Sequence, residues 1–252
     1  MTELWVTNQE IEKLARAYWA DVPFQPKCPR NLENSVCWGH SVTVSTLPKL
    51  NLASVHDWLA KRGILRDSMP RNRPLHACLA AIRGQGFIFL NGTDPENEKR
   101  FSLAHEIAHF ILDYELPRKN AIDFFGASIV DVLNGDRAPT IDERLAGTLR
   151  TLSLGNFDHL MHRDNSGLAR SIRVIEAEDN ADRLGLELLA PRADVMSHLK
   201  TNGNTGVTPA LKEIVSLLTD IYALPDEVAE QYARFLSAKH LPKQSFRDWI
   251  GK

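Results

Sequence analysis

Residues 7–19 carry Ile11, Leu14, Ala15, Tyr18 and Trp19 on one stripe of a 3.6-residue period. Thr7 and Glu10 make a capping box at its start, so the pattern predicts a helix there. The same period returns over 51–62, with Leu52, Val55 and Leu59 inward and Gly63 as the C-cap. Residues 75–83 and 87–91 read instead as two apolar strands, joined by Gly84-Gln85-Gly86 as a hairpin turn and covered on at least one face. Thr140 and Glu143 cap a further helix with Ile141, Leu145, Leu149 and Leu152 inward, ended by Gly155-Asn156. Over 171–189, Ile172, Ile175, Glu178, Asp182, Leu186 and Leu189 follow helical spacing until Pro191 stops the run. Two amphipathic helices close the chain. One covers 209–222, with Leu211, Ile214, Val215 and Leu218 inward; the other covers 225–238, with Val228, Ala229, Tyr232, Phe235 and Leu236 inward. Residues 22–48, broken by Pro23, Pro26, Pro29 and Pro48, read as irregular, and 201–206 read as a linker.

The centre of the chain breaks this amphipathic habit. In the stretch 101–113, Phe101, Leu103, Ala104, Ile107, Ala108, Ile111 and Leu112 are apolar on nearly every side, which marks a buried helix. That helix carries His105-Glu106-Ile107-Ala108-His109. Two histidines one turn apart leave the same face and fit two corners of a zinc tetrahedron. Glu106 is rotated off that row, where a general base stands. Buried polar groups need partners, and a metal ion supplies them.

A catalytic zinc site takes a third protein ligand and keeps a fourth position open. The metzincin pattern needs Gly at Leu112 and His at Glu115, and neither is present. Asp113 and Glu115 are acids within reach of the same face. Glu178 on the 171–189 helix is the favoured third ligand, with Asp182 one turn on, able to accept the ring N–H of a ligand histidine.

Composition narrows the class. The chain has 252 residues, 43% hydrophobic and 25% charged, an ordinary globular balance. With 30 basic and 32 acidic residues the net charge is -2, so no nucleic-acid surface is predicted. No apolar run reaches membrane-spanning length and no signal-peptide core stands at the N-terminus, so no membrane association is expected. Three cysteines, Cys28, Cys37 and Cys78, without a C-x-x-C pair fit a reducing cytoplasm. Cys28, Cys37 and His40 match no standard zinc spacing. Either His159 or His162 could stand near the site, although surface or core histidines of an insertion are the favoured reading.

Arg100-Phe101-Ser102-Leu103-Ala104-His105-Glu106-Ile107-Ala108-His109 closely resembles the active helix of ImmA/IrrE-type metallopeptidases. Glu178-x-x-Ala181-Asp182, running on to Glu187-Leu188-Leu189-Ala190-Pro191, resembles their second motif, with Leu184-Gly185 where the family usually has Phe-Ala. The resemblance covers about 51–197 and is interrupted by a long insertion at about 115–170. It implies an α+β, gluzincin-like core with a three-stranded sheet and two motif helices. The metallopeptidase domain would span 1–200, including an N-terminal extension, and 201–252 would be a helical appendage. It also implies one Zn2+ per chain and a helix-turn-helix repressor as substrate, cleaved to switch on stress-response or anti-phage defence genes. Some regulatory proteases of this kind are triggered by single-stranded DNA, which makes it a candidate signal.

The competing reading is a catalytically degenerate zincin that binds a protein or DNA partner and cleaves nothing; Glu106 argues against it, since a binder needs no base beside a metal. Of three cysteines that could serve as an inhibitory zinc-binding thiolate, Cys78 is favoured over Cys28 and Cys37, because its strand leads into the zinc helix. The competing role for Cys78 is a small buried core residue.

Overall fold

The computed structural model describes residues 6–64, 72–145, 154–162, 172–201 and 211–237. The elements run α1 (Asn8–Ala20), α2 (Leu32–Gly39), β1 (Val42–Leu47), α3 (Leu52–Ala60), β2 (Leu75–Ile82), β3 (Gln85–Asn91) and α4 (Glu96–His109). A π-helical turn, Phe110–Glu115, leads from α4 into α5 (Leu116–Phe125), α6 (Val130–Leu133), α7 (Ile141–Leu145) and β4 (Phe157–His162). Then come α8 (Ile172–Leu189), α9 (Arg192–Thr201), α10 (Leu211–Asp220) and α11 (Asp226–Ser237). This is an α+β, zincin-like fold, mostly helical with one small sheet. Two compact units divide it: one takes residues 1–39, 95–105 and 170–252, the other 40–94 and 106–169, so α4 contributes to both.

In the second unit the sheet has the order β1-β3-β2-β4, with β1 parallel to β3 and the other pairs antiparallel. It has four strands where three were expected. One face packs on α3: Leu75, Cys78, Ala80, Phe87 and Phe89 meet Leu52, Val55 and Leu59. Trp58 lies edge-on to Phe87 and Phe89. The other face carries Ala77, Leu79, Ala81, Gly86 and Ile88, mostly small residues that leave room for the chain after His109. Phe110 lies directly over Gly86, where an added Cβ would come within 2.8 Å of its ring. The Tyr114 hydroxyl accepts the Gly84 N–H at 2.7 Å. The hairpin turn is Arg83-Gly84 rather than Gly84-Gln85-Gly86, because Ile82 pairs with Gln85. Both turn residues have positive φ, 51° and 87°, as in the primed turn that matches strand twist.

Helices form the first unit. The Thr7–Glu10 capping box is present, and Ile11, Ala15 and Tyr18 of α1 are buried. The Trp19 indole N–H donates to the Leu188 carbonyl of α8 at 3.1 Å. Arg100 donates to the carbonyls of Tyr222, Ala223 and Arg30, tying α4 to the turn before α11. The Tyr232 hydroxyl of α11 donates to the Ala190 carbonyl at 3.0 Å. Glu187 accepts the Arg192 N–H at the start of α9, and burial pushes its carboxyl upward.

Several expectations are corrected. Residues 22–48 are not irregular throughout: α2 and β1 lie inside them. The alternation Val42-Thr43-Val44-Ser45 signals β1 in the sequence, and Pro29 and Pro48 fall outside both elements. Pro191 ends α8 but also starts α9, accepting the N–H groups of Asp194 and Val195. Ile141 is 74% exposed rather than inward, because α7 is held by the Arg137–Glu143 ion pair and the Thr140 cap instead of an apolar face. Ile172 and Leu211, each in a first helical turn, are exposed too. Leu149, Leu152 and nearly all of the 201–206 linker lie outside the described residues.

Gly86→Ala should destabilise the chain by about 1–3 kcal/mol, since a methyl group must displace the buried Phe110 ring. Urea unfolding with an unchanged slope measures it.

Candidate metal centre

Helix α4 builds the site because it has nowhere polar to turn. His105, Glu106 and His109 are all buried, Glu106 completely. Each is met by a partner of opposite chemistry. In the first unit, His105 Nδ1 donates to Asp182 Oδ1 on α8 at 2.8 Å, and its Nε2 lies 3.5 Å from Glu178 Oε2. Asp182 and Glu178 are one turn apart, so α8 presents both to one imidazole. Gly185, three residues on, lets the helices approach: a Cβ there would sit 3.3 Å from the backbone of Ala104 and His105. The Leu184-Gly185 departure thus stands at the α4–α8 contact.

In the second unit, His109 Nδ1 donates to Asp113 Oδ2 at 2.6 Å. The π-helical turn begins straight after His109, a distortion frequent at functional sites. Sequence reasoning kept Asp113 only as an alternative ligand; the i,i+4 spacing from His109 was the signal for its actual contact. Glu106 Oε2 accepts a hydrogen bond from His159 Nδ1 on β4 at 2.9 Å. The His159 ring stacks on that of His109, centroids 3.7 Å apart and planes 23° apart. Glu106 Oε1 is buried and has no hydrogen-bond partner among the described residues.

His159 was expected to stand outside the site, and the structure corrects this. Nothing local marks it: it reaches Glu106 because β4 pairs with β2, His159 opposite Leu79, across a long chain separation. For His162 only its place at the end of β4, opposite Leu75, is described. Cys78 is not brought here. It pairs with Leu160 and faces the α3 core, on the side of the sheet opposite His159. His40, grouped earlier with Cys28 and Cys37, bonds Glu115 at 2.7 Å.

The residues fit a metal ion. Both α4 histidines give Nδ1–H to a carboxylate, which fixes the tautomer whose Nε2 carries the lone pair a metal takes. His105 and Glu178 of the first unit and His109 and His159 of the second are residues of the types that can hold such an ion. Residues 68–130 match the family model Peptidase_M78, the IrrE N-terminal-like domain. The match supports the ImmA/IrrE-type metallopeptidase family. Searches of curated proteins and of solved structures found no match. The matched IrrE-like stretch contains His105, Glu106, His109 and Asp113; His159, Glu178 and Asp182 come after it. No helix among the described residues is long and apolar enough to cross a membrane.

Asp113→Ala should lower zinc affinity about 10- to 100-fold, because His109 loses the acceptor that orients it. Competition with a chromophoric chelator checks this. An affinity equal to wild type would show that Asp113 does not support a metal ligand.

Proposed function

We propose that this chain is a zinc-dependent endopeptidase, with His105, His109 and Glu178 holding one Zn2+ and Glu106 as the general base. The observation that carries the reading is the pair of carboxylate-backed histidines, one turn apart on a single buried helix. Zinc there would polarise the scissile carbonyl and acidify a water molecule. Glu106 takes the proton from the attacking water at Oε1, the oxygen with no hydrogen-bond partner among the described residues, and returns it to the leaving amine. Asp182 and Asp113 keep the imidazoles oriented throughout.

The substrate we propose is a helix-turn-helix repressor, cleaved in the cytoplasm to derepress a stress or anti-phage defence operon, with single-stranded DNA as the candidate activator. The likeness of residues 68–130 to the IrrE N-terminal-like domain supports this substrate class. A second reading has one specific support: the group able to hold a metal has four members, and a metal closed by four protein ligands is structural. That is a degenerate zincin acting as a binding module.

Glu106→Gln keeps the shape and loses the base, so it should fold, retain one zinc per chain and cleave about 10²–10⁴-fold more slowly. Glu178→Ala should lose most of its zinc by elemental analysis. Cleavage by Glu106→Gln at the wild-type rate would remove the mechanism, and full zinc occupancy in Glu178→Ala would remove the ligand assignment. For the substrate, a helix-turn-helix repressor should be cut faster than unfolded casein; equal rates would refute repressor specificity.

A further inference from the structure

We infer that His159 is a positioning residue that holds the Glu106 carboxylate, and that strand β4, by pairing with β2, completes the base. The inference rests on the endopeptidase reading and deepens it. Glu106 is fully buried, and an ionised carboxylate cut off from water must be compensated. His159 Nδ1 donates a hydrogen bond to its Oε2 at 2.9 Å. That bond spends one oxygen and leaves Oε1, buried and without a partner among the described residues, as the atom to meet substrate water.

Register explains how a residue so distant in sequence arrives. On β2, Leu79 pairs with Ile88 on one side and His159 on the other, so all three share a face. It is the face that packs Phe110 over Gly86, directly after the α4 histidines. A one-residue slip of β4 would turn His159 to the α3 side and leave Glu106 without its donor. The segment that looks like an insertion therefore supplies part of the active centre.

His159 could instead be a fourth metal ligand, since it belongs to the group able to hold an ion. The stacking with His109 argues against this. An imidazole binds a metal along its lone pair, in the plane of the ring. Planes stacked at 3.7 Å and inclined by only 23° meet well beyond a bond of about 2 Å, so one ion cannot lie in both.

The test uses the full chain, with zinc as the metal and a helix-turn-helix repressor as substrate. His159→Ala should lower kcat about 10–100-fold with KM, zinc stoichiometry and zinc affinity unchanged. His159→Asn, which keeps an N–H donor near the Nδ1 position, should recover much of the loss. His159→Ala added to Glu106→Gln should cost nothing more. Nitrogen-15 NMR of the metal-free protein reads the contact without any cleavage: the His159 Nδ1–H signal should move in Glu106→Gln. A tenfold or greater fall in zinc affinity for His159→Ala would make it a ligand and overturn the inference, as would an unchanged kcat. If wild type binds zinc yet cleaves no repressor, the functional reading fails. The NMR shift and zinc affinity then still decide whether His159 holds Glu106.

Discussion

Three ionisable side chains on one buried helix set the terms for the rest of this molecule. His105, Glu106 and His109 are all withdrawn from water on α4, and a buried polar group without a partner is costly. The chain answers from three places: α8 brings Asp182 to His105, β4 brings His159 to Glu106, and the π-helical turn brings Asp113 to His109. Each answer needs a different part of the fold in register. The two aspartates orient imidazoles and the histidine orients a carboxylate, so the contacts that compensate burial also aim the chemistry.

Close approach is the second requirement, and it explains small residues that patterning alone would count as weak. Gly185 lets α8 lie against the backbone of Ala104 and His105, which puts Asp182 within reach of the imidazole. Gly86 admits the Phe110 ring onto the sheet, beside Ala77, Ala81 and Leu79 on the same face. The opposite face, facing α3, carries the large Leu75, Phe87 and Phe89 beside Cys78 and Ala80, with Trp58 edge-on to Phe87 and Phe89. Cys78 belongs to that second face, which is why a strand leading into α4 does not carry its cysteine to the candidate site.

The likeness to IrrE-type metallopeptidases covers the hairpin, α4 and the turn beyond it. Later chain supplies the remaining partners: β4 brings His159 to Glu106, and α8 brings Asp182 and Glu178 to His105. Arg100, part of the motif that first suggested the family, acts away from the histidines. It binds three backbone carbonyls and anchors α4 to the helical unit.

Sequence alone determined whatever depends on local periodicity and local hydrogen bonds. The α1 capping box, the helix capped by Asn51, the hairpin strands and the His-Glu-x-x-His helix could all be read before any fold was known, because their signals lie within one or two turns. The turn at Arg83-Gly84 was misplaced by one residue, since strand pairing and not glycine content fixes it. The α2 and β1 elements were hidden by surrounding prolines that lie outside them. His159 could not be found this way at all. Its partner is far off in sequence, its own strand is short, and the face it presents depends on pairing register with β2. Tertiary structure alone decided which histidine joins Glu106 and which side Cys78 faces, because both are consequences of one strand's register.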